Sequence, residues 1–173
     1  LERKSIIHFY TNFSAVSPKP YEKMYFPGQR VQVDVKFVPA SCIVGAAKGE
    51  KYYQYTAIDE YSRLRYIAAF KEHSSHSSAQ FLDQLIKAFK FPIQCIQTDN
   101  GMVFTKRLCV SGKRTETLFE ARLKHYGIKH KLIRPYTPRH NGKVERSHRK
   151  DNEYFYATHK FYSFDDFKKQ LSD

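Results

Sequence analysis

An α/β domain built on a five-stranded mixed sheet flanked by helices is the fold this sequence predicts, and three observations predict it. Three consecutive runs near the start carry strand-like residues joined by short turns. After them, helical and strand patterns alternate, and the chain closes on two further helical patterns. At 173 residues the length suits one domain.

The elements follow in order. Val31, Val33, Val35 and Phe37 alternate with Gln32, Asp34 and Lys36, the period of a strand with one buried face. A Gly-containing loop from Gly45 to Gly49 leads to a second strand over Lys51 to Ile58, and the link Asp59-Glu60-Tyr61-Ser62 leads to a third over Arg65 to Phe70, so the three are expected as an antiparallel meander. Ser77 and Ser78 are expected to cap a helix over Ala79 to Lys90, with Phe81, Leu82, Leu85, Ile86 and Phe89 on its apolar face and Pro92 beyond its end. Ile93 to Thr98 is too short and too apolar for a typical helix and reads as a strand ending at the Asp99-Asn100-Gly101 turn. Thr105 to Thr117 is polar, without period, and is expected as a mobile loop. Leu118, Phe119, Leu123 and Tyr126 mark a short helix stopped by Gly127, and Ile128 to Ile133 a fifth strand. Pro135 to Pro138 breaks the chain ahead of a helix that opens near Asn141. Phe161, Phe164, Phe167 and Leu171 mark a last amphipathic helix, capped by Ser163 with Asp166 three residues on. The expected organisation is an N-terminal arm or linker over 1–28, carrying Pro18, Pro20 and Pro27, then a core over 29–160 and its C-terminal helix over 161–173.

Charge narrows the partner. Thirty basic residues face 17 acidic ones, giving +13 and a pI near 9.6, which points to a polyanion. No apolar run is long enough to span a membrane and no signal-peptide pattern opens the chain, so DNA or RNA is preferred over a membrane surface. From Lys129 to Lys150 the bases Lys129, Lys131, Arg134, Arg139, Lys143, Arg146, Arg149 and Lys150 surround a single acid, Glu145. Cys42, Cys95 and Cys109 lack the spacing of a zinc site or a disulfide framework, and a reducing cytosol is expected. His73 and His76 could be half a metal site, but with no second pair nearby they read as part of a loop and helix start.

Three acids stand out by setting. Asp34 projects from the polar face of a strand, Asp99 sits at the carboxyl end of another, and Glu145 lies early in a helix whose Asn141, Glu145, His148, Arg149 and Asn152 share one polar stripe, expected to face substrate. Carboxylates without a cluster of thiolates or imidazoles suit Mg²⁺ or Mn²⁺ better than zinc. Two such ions about 3.5–4 Å apart can activate an attacking oxygen and stabilise a leaving one in phosphoryl transfer.

Val33-Asp34-Val35-Lys36, Thr98-Asp99-Asn100-Gly101, and Pro135-Tyr136-Thr137-Pro138 followed by Asn141-Gly142-Lys143-Val144-Glu145-Arg146 resemble the catalytic core of retroviral-type integrases and related bacterial insertion-sequence transposases. The resemblance runs from about Pro27 to Asn152. It implies a ribonuclease-H-like fold, with Asp34, Asp99 and Glu145 as a DDE triad binding two Mg²⁺ (or Mn²⁺) ions. The reaction it implies is cleavage at a transposon end, then strand transfer by a DNA 3′-hydroxyl. By the same resemblance Asn141, Lys143, Arg146 and Arg149 would contact DNA phosphates, Asp59 would be structural, and the protein would work as a homo-oligomer on DNA in the bacterial cytoplasm or nucleoid. A domesticated or inactive DNA-binding module and a ribonuclease-H-like nuclease are the competing readings. Two departures go with it. The Asp99 to Glu145 interval is longer than the family's usual one, with the excess near Lys106 to Thr117. The flanking DNA-binding modules of a transposase are also missing, so a fragment of a longer protein is expected.

Overall fold

The computed structural model describes residues 22–107, 115–133 and 141–172. The expected arm before residue 22, the middle of the expected mobile loop (108–114) and the Pro135 to Pro138 break lie outside the described residues. Strands β1 (Val31–Phe37), β2 (Tyr53–Asp59) and β3 (Arg65–Phe70) form the antiparallel meander, and β4 (Cys95–Thr98) and β5 (Lys129–Leu132) extend it in the spatial order β3-β2-β1-β4-β5. β4 runs parallel to β1, with Val31 beside Ile96 and Gln32 beside Gln97, and β5 runs parallel to β4. The sheet is therefore mixed, as expected.

Helices α1 (Ser75–Ala88) and α2 (Leu118–His125) cover one face. There Val31 and Val33 of β1, Tyr55 and Ala57 of β2, Phe81, Leu82 and Leu85 of α1, and Phe119 and Leu123 of α2 form one buried cluster. Full burial of each large side chain contributes about 1.5–3 kcal/mol. α1 begins earlier than the serine pattern suggested. Ser74, in extended backbone, accepts the Ser77 N–H at 3.1 Å and is the cap, while Ser77 and Ser78 lie within the first turn. The hydroxyl that wins is the one whose extended backbone lets it turn back on the helix. Thr117 and Glu120 form a reciprocal capping box at the start of α2.

The opposite face carries α3 (Gly142–Lys150) and α4 (Phe164–Ser172). A π-helical turn over Asp151–Tyr156, which no sequence pattern suggested, continues α3 directly. Val38, Cys42, Tyr52, Tyr156, Phe161 and Phe167 make a second buried cluster there. Ser163 accepts the Asp166 N–H and Asp166 accepts the Tyr162 N–H, so the predicted cap of the last helix is present. Residues just ahead of β1 belong to the packed body. Met24 is buried, Gly28 donates to Asp59 at 2.9 Å, and Gly28 accepts from Gln94 at 2.8 Å. Gly28 has φ +80, and a Cβ there would lie 2.0 Å from the Pro92 carbonyl oxygen, so only glycine allows this approach.

Candidate active site

Alternation along β1 sends Gln32, Asp34 and Lys36 to the α3 face while Val31 and Val33 enter the apolar core. Continuing the parallel ladder two residues past the Gln32 and Gln97 pair brings Asp99 level with Asp34. Adjacent strands lie about 4.8 Å apart, which is the separation expected of the two backbones. Asp34 Oδ1 accepts the Val35 N–H at 2.8 Å. Asp99 lies just beyond β4, and its Oδ1 accepts the Gly101 N–H at 2.9 Å. A Cβ on Gly101 would stand 2.9 Å from that same oxygen, so glycine lets the carboxylate fold over its own turn. Asn100 fixes the turn to the end of β5 by donating to the Ile133 carbonyl at 2.9 Å, and the Thr98 hydroxyl, 2.9 Å from His130 Nε2, donates to the Asp99 carbonyl.

Val144 is fully buried and seats α3 against the sheet. Glu145, the next residue, is exposed. Burial, the charge of Asp99 and the charge of Glu145 together push the Asp34 carboxyl up to about 7. The three acids thus share one field. Among the described residues no three His, Cys, Asp or Glu side chains are gathered tightly enough to hold a metal ion. The donor chemistry fits a hard divalent cation, because Asp34 and Asp99 offer oxygens only and such a cation would stabilise the ionised form that burial and the neighbouring acids disfavour at Asp34.

The helical stripe is divided: Asn141 and His148 are turned inward, while Glu145, Arg149 and Asn152 are exposed. Asn141 is 2% exposed. His148 Nδ1 lies 3.6 Å from Asp34 Oδ2, and Asn152 accepts from the Lys36 ammonium. Burial, aided by Lys36 and Arg65, drives the His148 imidazole down to about 4, so it is neutral at physiological pH. Of the four expected phosphate contacts, Arg146 and Arg149 are exposed on α3. Lys143 instead donates to the Glu60 carboxylate and carbonyl, both at 3.0 Å. The reason is charge: Glu60 is buried and needs cations beside it. Asp59 is also fully buried, with its oxygens taken by Gly28 N–H and by the Ser62 N–H and hydroxyl, a structural use.

Several residues that hold this site carried no motif. Gln32 reaches the first amides of α3, Arg30 pairs with Glu60, and Asp151 receives Gln54 and Arg65, each at 2.7 Å. Only Gln32 left a signal, since it lies two residues before Asp34 on the same strand face.

The integrase core domain family matches residues 25–138, and a second integrase core domain family matches 126–173. A protein of Spiroplasma virus SpV1-C74 described as integrase ORF3 is 29% identical over 150 residues, 83% of this chain and 40% of that protein. A Geobacillus stearothermophilus protein described as the transposase for insertion sequence element IS5376 is 29% identical over 169 residues, 94% of this chain and 41% of its own length. The chain therefore spans about two fifths of these curated relatives. Among solved structures, the bovine immunodeficiency virus (BIV) integrase catalytic core aligns with TM-score 0.52 and 23% identity, over 73% of this chain and 68% of that one. The HTLV-2 integrase catalytic core in complex with magnesium, in a trimeric form, aligns with TM-score 0.54 and 24% identity, over 79% and 77%. A simian T-cell lymphotropic virus intasome with the PP2A regulatory subunit B56 gamma aligns with TM-score 0.57 and 19% identity, over 77% and 44%. These likenesses give the fold as ribonuclease-H-like, and the family match, which covers more than half of the residues, makes this chain a member of the integrase core domain family.

Proposed function

We propose that the chain is the catalytic core of a DDE-type transposase or integrase, a polynucleotidyl transferase whose DNA 3′-hydroxyl attacks a target phosphodiester. The observation that carries this reading is the parallel register that sets Asp34 beside Asp99, with the charge of Glu145 felt at Asp34. Asp34, Asp99 and Glu145 would hold two Mg²⁺ or Mn²⁺ ions, Glu145 swinging in from its exposed position on α3. Divalent ions bound there supply Lewis-acid activation of the attacking oxygen and charge stabilisation of the leaving oxygen. The chain's own part is positional: the β1 and β4 backbones fix the aspartates, and α3 presents Arg146 and Arg149 to the DNA phosphates. Lys143, tied to Glu60, and Asn141, buried at the helix start, act behind that surface.

DNA ends and target are the proposed partners, and assembly into a homo-oligomer that bridges two ends is part of the proposal. Bacterial cytoplasm or nucleoid is the matching location. No helix among the described residues is long and apolar enough to cross a membrane. Strand-transfer assays of the full-length protein with Mn²⁺, comparing wild type with Asp99→Asn, test the reading. Loss of joined product in the variant is expected; equal activity would overturn it. Binding of nonspecific duplex should weaken steeply with salt as counterions are released, and a flat response would remove the basic face from the DNA surface.

A further inference from the structure

We infer that Glu60 and Gln32 are positioning residues that set the helix carrying Glu145 against the strand carrying Asp34. The first amides of a helix need partners. In α3, Asn141 stands at the cap position but makes no side-chain cap bond. Gln32 Oε1 takes that role from β1, accepting the N–H groups of Lys143 at 3.2 Å and Val144 at 3.3 Å. One strand thus presents an acid to the site and, two residues earlier, grips the helix that presents another.

The second grip is ionic. The Glu60 carboxylate, at 0% exposure, accepts from Arg30 Nε at 2.5 Å and Arg30 Nη2 at 3.2 Å, and from Lys143 Nζ at 3.0 Å. Lys143 also reaches the Glu60 carbonyl, so one lysine side chain measures the distance from the β2–β3 turn to the first turn of α3. Arg30 extends the chain of charges to Glu22, which Lys131 of β5 also contacts at 3.2 Å. Buried ion pairs of this kind add little net stability, because desolvation offsets the attraction. What they fix is geometry, and Lys143 lies two residues from Glu145. Partners that orient a ligand-bearing element set metal affinity without touching the metal.

The inference rests on the reading that the three acids hold metal, and the experiment separates the two. Mn²⁺ affinity is measured by calorimetry on the chain, together with amide hydrogen exchange across residues 142–150 without metal. Glu60→Gln, Lys143→Met and Gln32→Leu should each weaken Mn²⁺ binding about ten- to a hundredfold and speed exchange in the first turn of α3 while α1 stays protected, and wild-type affinity in a folded Gln32→Leu would remove Gln32 from the positioning role. Lys143→Met leaves Glu60 paired with Arg30, so it keeps the test open if Glu60→Gln does not fold. A control that lowers the melting temperature through the remote cluster, Phe167→Leu, should keep wild-type Mn²⁺ affinity, which a merely structural role for Glu60 would not predict. Wild-type affinity in a folded Glu60 or Lys143 variant would overturn the inference. If wild type binds no Mn²⁺, or Asp34→Asn binds it equally well, the metal reading fails instead. Exchange then decides alone: faster exchange confined to the start of α3 supports the positioning role, and unchanged exchange overturns it.

Discussion

The two faces of β1 are made from alternate residues of one heptapeptide and obey different rules. Val31 and Val33 enter a cluster of Phe, Leu and Tyr side chains on the α1 and α2 side. Gln32, Asp34 and Lys36 meet α3 and its π-helical continuation through single, directed contacts. On β2, the neighbouring Gln54 and Thr56 are fully buried and polar, with Gln54 donating to Thr56 at 3.0 Å and to Asp151 at 2.7 Å and accepting from Tyr156 at 2.5 Å. The apolar face is redundant, since many contacts share the load. The polar face is not. Gln32, Gln54, Glu60 and Asp151 each rely there on a few named partners, and losing one leaves another stranded in a low-dielectric setting.

Perturbing the two faces should therefore give different signatures. Asp34→Asn is expected to have the largest effect, reducing strand transfer by the full-length protein on the order of a thousandfold, several kcal/mol at about 1.36 kcal/mol per decade. The melting temperature should hold or rise, because the change removes a carboxylate whose charge is disfavoured by burial and by the acids beside it. Activity kept while stability drops would erase the distinction between the faces. On the other side, Phe81→Ala should cost about 3–5 kcal/mol in urea unfolding, and a loss below 1 kcal/mol would mean that this core is not close-packed. Asp151→Ala strips the partner from Gln54 and Arg65 and should cost about 1–3 kcal/mol, with Asp151→Asn milder because it keeps an acceptor for Gln54. Equal costs for the two variants would argue that directed bonding is not what matters there.

The smallest effect is one of pH. A carboxyl held up at about 7 binds its proton more tightly folded than unfolded, so it favours folding while protonated, and that contribution is lost as pH rises from 3.8 through about 7. Metal-free wild type should accordingly lose a few degrees of melting temperature relative to Asp34→Asn across that window. Mn²⁺ should restore them at pH 8. Parallel melting curves for the two proteins would show that burial and the neighbouring acids do not hold the Asp34 carboxyl up.

Legibility in the sequence followed the same division. β3 was read with its observed bounds, β1 by its alternation, and the last helix by Ser163 and Asp166, because periodicity and caps are local. The settings of Asp34 and Asp99 were legible for that reason too: one lies in an alternating strand, the other in an Asp-Asn-Gly turn. What local pattern could not supply was direction. The stripe of Asn141, Glu145, His148, Arg149 and Asn152 is polar throughout, yet it is divided: His148 and Asn152 meet Asp34 and Lys36 of β1 while Glu145 and Arg149 stay exposed, because polar surfaces can pack on each other when their groups match. Lys143 looked like its neighbours Arg146 and Arg149; only the fold brings the buried Glu60 under it. The Ser74 cap was missed by a few residues because four serines offer the same chemistry and backbone angle alone selects among them.

The wide turn after α3 has a consequence for how this segment can change. Asp151 and Tyr156 both converge on Gln54 although they are five positions apart, a spacing that ordinary helical winding at 3.6 residues per turn would splay far around the axis. Five-residue closure brings them to one side, so that both side chains reach Gln54. Outward-facing members such as Tyr154, 74% exposed, can be exchanged at little cost, whereas removing any one of the six would rewind the turn and dislodge its anchors. Length is the mechanically constrained feature of the turn, together with the two side chains that bond Gln54.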